Sequence, residues 1–196
     1  MGNVMSNNID INFINSYPAD TISVSNVIDC LITDLKNINV PQDELNEIVL
    51  AMDEAVTNAV QETLCKDISL SCNQEKTQRT ITIRYHINNE TFDATIIDHG
   101  NGLDIDKMIK KTPDIKSSQY EDQIYHYINT RGNTNLQITI NGQEVLLNGI
   151  GAGLKIILSF MDSVKIDLID KKQIVNNSIT KFTDGTILNL TRKRRY

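Results

Sequence analysis

The first ordered stretch shows a two-residue rhythm. In IDINFIN (9–15), Ile9, Ile11 and Phe13 fall on one face and Asp10 and Asn12 on the other. That period predicts a half-buried strand, ended by Pro18. The rhythm then lengthens. Val24, Val27, Ile28, Leu31 and Ile32 recur at helical spacing behind a cap at Asp20 or Thr21. After a turn at 37–39, Pro41, Asp43 and Glu44 open a second helix, because proline and acids suit a first turn. It runs to about Leu64. Leu45, Ile48, Val49, Met52, Ala55, Val56, Ala59 and Val60 give it an apolar face wide enough to require a covering sheet.

Residues 65–79 read as a polar loop. TITIRYHI (80–87) and FDATIID (92–98) alternate cleanly about a tight turn and predict a strand pair. A polar stretch follows to about Asn135. QITINGQEVLL (137–147) predicts a hairpin, with Asn141-Gly142 as its type I′ turn. GIGAGLKIILSFMD then predicts an apolar helix, and VKIDLID (164–170) and TILNLT (186–191) the closing strands. The order implies one α+β domain over residues 1–196: a two-layer sandwich with a mixed, mainly antiparallel sheet covered on one face by helices.

Composition narrows the function classes. The 196 residues are 40% hydrophobic and 22% charged, as in ordinary globular proteins, with a net charge of −6 that disfavours direct nucleic-acid binding. The basic run Arg192, Lys193, Arg194 and Arg195 is expected to be a solvated terminus. Three cysteines, with no zinc-type spacing, suggest a reducing cytoplasmic setting, and Cys30 and Cys65 fall in apolar helical patterns that favour burial. The most apolar run, Val145 to Met161, is broken by Asn148, glycines and Lys155, so no membrane span is expected.

Chemistry enters on the second helix. Glu54, Thr57, Asn58 and Gln61 form a polar stripe at i, i+3, i+4 and i+7. By itself such a stripe fits a solvated helix face. It also puts a carboxylate, able to take a proton, one turn from an amide oxygen, able to ligate Mg²⁺. Asp98-His99-Gly100-Asn101-Gly102 follows a strand; its glycines permit close backbone approach, and its aspartate can accept from an exocyclic amine. Gly149-Ile150-Gly151-Ala152-Gly153-Leu154 opens a helix, where free amides bind anions. A dinucleotide fingerprint is excluded because the third glycine comes one residue early and no second βαβ unit follows. No GK[ST] sequence supplies a Walker A loop.

In this order, EAVTNAV (54–60), DHGNG (98–102), GIGAGL (149–154) and Gly185-Thr186 resemble the N, G1, G2 and closing-threonine motifs of the GHKL (histidine-kinase-like) ATPase superfamily, whose nucleotide-binding architecture is the Bergerat fold. DEAVTNAV and GLKIILSFMDSV look most like RsbW-type anti-sigma-factor serine/threonine kinases; the GAGL phrase also resembles RsbT-type switch kinases. The resemblance implies ATP and Mg²⁺ as cofactors, with Glu54 as general base and Asn58 as metal ligand. Asp98 would read the adenine, helped by Thr186. Gly100 and Gly102 would admit the nucleotide. Gly149, Gly151, Gly153 and Leu154 would cradle its phosphates. Residues 104–148 would form a long ATP lid, with Lys110, Lys111 and Arg131 as candidate phosphate contacts. The implied partners are an anti-anti-sigma (STAS-like) protein, a sigma factor and a second copy of the chain.

Overall fold

The computed structural model describes residues 8–70, 79–102, 137–140, 143–146, 152–170, 173–175 and 183–195. Strand β1 (Asp10–Pro18) runs through the proline expected to stop it, which an edge position tolerates at a strand end. Helix α1 (Thr21–Asn37) is capped by Asp20, whose carboxylate accepts from the Ser23 amide at 2.8 Å. Val27, Leu31 and Leu35 are its fully buried stripe. Asn39, at φ 56°, turns the chain into α2 (Gln42–Leu70). That helix outruns its predicted end by six residues, into the segment expected to be loop.

Strands β2 (Thr80–Asn88) and β3 (Thr91–Asp98) form the expected hairpin, with Ile81, Ile83, Tyr85, Ile87, Phe92, Ala94 and Ile96 turned to the helices. Two short strands, β4 (Gln137–Ile140) and β5 (Gln143–Leu146), pair antiparallel with Ile140 opposite Gln143, the register a two-residue turn requires; the predicted turn residues 141–142 lie outside the described residues. Helix α3 (Ala152–Phe160) is followed by β6 (Ser163–Asp170), β7 (Gln173–Val175) and β8 (Thr183–Lys193). The sheet order is β1-β2-β3-β8-β6-β4-β5, with β7 also on β6. The first five strands of that order are antiparallel throughout; β4 joins β6 in parallel. The fold is thus the α+β sandwich predicted from the order of elements.

The core lies between that sheet and the three helices. Ile48, Met52, Ala55, Val56 and Val60 of α2 meet Ile83, Ile96, Ile157 and Leu190 in one cluster. Phe13 stacks on Tyr85 with centroids 4.5 Å apart, and the Tyr85 hydroxyl donates to Asp34 Oδ2 at 2.6 Å. Burial and that acidic neighbour push the phenol's pKa upward.

Two expectations fail. Cys30 and Cys65 are exposed free thiols, because α1 and α2 turn their narrower buried stripes elsewhere. The C-terminal basic run is solvated only at Lys193 and Arg195. It extends β8, and Arg192 is fully buried beside Glu44 and Glu47 of α2 while donating to the Phe160 carbonyl. Arg194 reaches the Asn88 carbonyl. A strand that crosses the centre of the sheet carries its side chains inward whatever their charge, so this arginine is held by two carboxylates rather than by water.

Candidate active site

Helix α2 supplies the floor of the site. Its small residues, Ala51, Ala55 and Ala59, bring the helix close to the rest of the core. Glu54 and Asn58 stand one turn apart and half-buried, and the Asn58 amide donates to Glu54 Oε1 at 3.2 Å. That bond uses the amide nitrogen, so the Asn58 oxygen is not spent on Glu54. Burial raises the Glu54 pKa; the bond from Asn58 opposes the rise. Thr57 is half-buried, whereas Gln61 is exposed, so the end of the predicted stripe turns out to solvent.

The start of α3 closes on this carboxylate. A β-carbon built on Gly153 would lie 1.7 Å from Glu54 Oε1. With the Glu54 carboxylate where it stands, a side chain at 153 would displace it, so the glycine lets the helix start and the acid share this space. Gly149 and Gly151 lie outside the described residues. Leu154 is buried in the core cluster, so its side chain packs and only its backbone faces the N-terminal turn.

The other half of the site is built where β3 ends beside the start of β8. Asp98 pairs with Thr186 across the ladder and is buried. Its Oδ1 accepts from the Gly100 amide at 2.8 Å, and Thr186 adds bonding from side chain and backbone. Burial nevertheless outweighs these bonds, and with nearby Glu62 it raises the Asp98 pKa to about 6. Gly185 stands at φ 155°, and a β-carbon on it would lie 2.1 Å from the Asp98 carbonyl oxygen. Gly102 is buried at φ 80°. A β-carbon on Gly100 would meet Glu62 Cβ at 2.7 Å, which ties this turn to α2.

The spacing along α2 joins the two halves. Glu54, Asn58 and Glu62 recur every four residues, so the row from Gly153 to Gly100 extends about 12 Å along the helix. Three contributors escaped the sequence reading. Glu62 was in reach, since it lies four residues past Asn58 on the same face. Thr63 is fully buried and its hydroxyl accepts from the His99 amide at 3.4 Å; its place on an apolar face was the signal. Arg79 donates to the His99 carbonyl at 2.8 Å and lies 3.9 Å from Asp184, tying the turn after β3 to the start of β8. Nothing local announces that role. His99 is half-buried in the turn, held by its backbone. Lys110, Lys111 and Arg131 lie outside the described residues.

A family model described as a histidine kinase-like ATPase domain matches residues 17–178. The chain belongs to that family. As an ATPase domain of this type it binds ATP, and the GHKL resemblance holds at family level. Among solved structures, the SiaB–SiaC complex from Pseudomonas aeruginosa contains a similar chain, with TM-score 0.52, 10% identity, and coverage of 92% of this chain and 89% of that one. At that identity the likeness is one of fold. A mycobacterial sensor histidine kinase, MprB, aligns with TM-score 0.42 and 12% identity over 92% of this ATPase domain and 99% of that chain. A search of curated proteins returned no match. No described helix is long and apolar enough to cross a membrane.

Proposed function

We propose that this ATPase domain is a serine/threonine protein kinase that transfers the γ-phosphoryl group of ATP to a partner protein. The carrying observation is the contact of Gly153 with Glu54, which places an anion-binding helix start against a half-buried carboxylate. The nucleotide lies along α2, with adenine at Asp98 and Thr186 and phosphates at the start of α3, where Gly149 and Gly151 complete the cradle. Gly100 and Gly102 make room for it, and residues 104–148 act as the lid. The β4–β5 hairpin inside that span is part of the sheet through β6, so it anchors the lid's end.

The Mg²⁺ implied by the family fits the donor set. Asn58 offers an amide oxygen to a hard cation, since its bond to Glu54 uses the nitrogen. Asn58 would hold it, and the ion would neutralise phosphate charge. In the transfer step the partner's hydroxyl oxygen bonds to the γ-phosphorus and the bond to the β–γ bridging oxygen breaks, releasing ADP. The hydroxyl proton goes to Glu54. Its raised pKa brings it nearer neutrality and makes it a better base than a solvated glutamate. The ionised Asp98 is the stronger acceptor for the adenine amine, so affinity should fall as pH drops below about 6.

The partner we favour is an anti-anti-sigma, STAS-like protein, with a sigma factor as a second target, on a cytoplasmic homodimer of this chain. These follow from the RsbW-type resemblance. The RsbT-like phrase GAGL supports the neighbouring reading of a switch kinase in another partner pathway. A partner-switch module that binds nucleotide without efficient transfer is separated from both by one experiment. Labelled ATP, the wild-type protein and a STAS-like substrate should yield phosphoprotein, and Glu54→Ala should not. Binding of nucleotide by both proteins with transfer by neither would reduce the domain to a switch. Asn58→Ala should abolish Mg²⁺-dependent ATP binding in calorimetry; unchanged affinity would remove Asn58 as metal ligand.

A further inference from the structure

The turn that ends β3 is governed by one peptide plane, the one between His99 and Gly100. Its N–H donates to Asp98 Oδ1 at 2.8 Å. Its oxygen, the His99 carbonyl, accepts from Arg79 Nη1 at 2.8 Å. A trans peptide is planar, so holding the oxygen also fixes where the N–H points. Gly100 flanks that plane, and a residue without a β-carbon resists rotation of its peptide least. The amide that orients the Asp98 carboxylate is therefore itself aimed from outside the turn, by Arg79.

Arg79 is a fixed point from which to do this. Pro18 pairs with Thr80 across β1 and β2, and the Arg79 carbonyl accepts from the Ala19 amide at 3.0 Å, so its backbone is locked where β1 passes into α1. Thr82 pairs with Ile97, and the same antiparallel register carried back along β2 brings position 79 level with the turn. The Arg79 side chain is 23% exposed, and Nη1 also lies 3.9 Å from Asp184 Oδ1. Asp184 stands two residues ahead of Thr186, which bonds Asp98 as well. One guanidinium thus bears on both strand ends that carry the adenine contacts. A charged donor on the carbonyl also polarises the peptide, which strengthens the bond its N–H makes to the carboxylate.

We propose that Arg79 is a positioning residue for base recognition: through the 99–100 peptide it holds the Asp98 carboxylate in the orientation that accepts the exocyclic amine of adenine. This deepens the nucleotide-site reading above and rests on its placing adenine at Asp98. A role in stability alone would weaken every purine nucleotide alike. A role through Asp98 weakens only those that bring a donor to it.

The test compares two ligands on the full chain, by calorimetry with Mg²⁺ present: ATP, and purine riboside triphosphate, which carries hydrogen in place of the amine. Wild type should favour ATP by at least about tenfold, the usual worth of a hydrogen bond to a charged group. Arg79→Met keeps an apolar stem and removes the donors; it should lose most of that preference by weakening ATP while leaving the analogue unchanged. Arg79→Lys, which keeps a cationic donor but not the planar fork, should recover part of the preference. In wild type, ATP affinity should fall below about pH 6 and that of the analogue should not, whereas in Arg79→Met the two profiles should converge. Equal losses for both ligands, or a preference left intact, would overturn the proposal. Should Arg79→Met not fold, the decision passes to Arg79→Lys, which must still cost ATP more than the analogue; equal costs would overturn the proposal there too. A wild type that does not distinguish the two ligands would refute the adenine contact at Asp98 itself, and with it any role for Arg79 in positioning.

Discussion

The two ends of α2 treat their acids differently: those near its start are buried, whereas Glu54 is half-buried and Glu62 exposed. Near its start, Glu44 and Glu47 are buried together with Arg192, which reaches Glu47 directly and lies 3.7 Å from Glu44. From its middle onward, Glu54 and Glu62 share a row with Asp98, and no described lysine or arginine lies within ion-pair distance of them. Burial raises the pKa of all three. An acid that carries its own cation into the interior is part of the scaffold, and removing either partner strands the other. Acids left without one hold the protein in a costlier state, which a ligand able to use them can relieve. Among the described residues, the site is therefore a row of acids with no lysine or arginine in ion-pair range.

The sharpest way to break this contrast is at Glu54. If it is the base, Glu54→Ala should lower phosphotransfer by about 10²- to 10⁴-fold in a labelled-ATP assay, with an unfolding midpoint at or above wild type. At the other end the loss should appear in stability instead. Arg192→Met should cost about 3–5 kcal/mol in urea unfolding, by leaving buried Glu44 without a cation and Glu47 with only the exposed Arg195 at 3.8 Å. A smaller cost would mean that Glu44 and Glu47 reach water.

Asp98 gives an effect of opposite sign. Its pKa is near 6 in the folded chain against 3.8 unbound by structure, so the folded state holds a proton that the unfolded state releases in that window. Stability should fall as pH rises from about 4 to 6 and stay lowered above. Asp98→Asn should recover up to about 3 kcal/mol at pH 7 and nothing at pH 3, while abolishing nucleotide binding. Equal gains at both pH values would show that the carboxylate's charge is not the cause. The smallest effect is expected at Cys30→Ser, within about 0.5 kcal/mol, because that thiol is exposed.

Much of this was legible along the chain. The period of two in residues 80–98 and the helical spacing of Leu45 to Val60 depend on neighbours only, and the structure keeps both. The stripe holding Glu54 and Asn58, and the turns at Asp98 and Gly153, could be found because glycine and acid placement is a local signature. Glu62 was passed over for Gln61, one position away on the helix, and only packing against Gly100 separates them.

The sequence by itself determined the rhythm of strands and helices, and which glycines and acids stand at their ends, because those depend on residues a few positions apart. Tertiary structure alone decided that Arg192 is buried against Glu47, 145 residues away, that Gly153 meets Glu54, and that the β4–β5 hairpin extends the sheet beside β6. Contacts of that kind arise only when the whole sheet is assembled, since no local preference carries the identity of a distant partner.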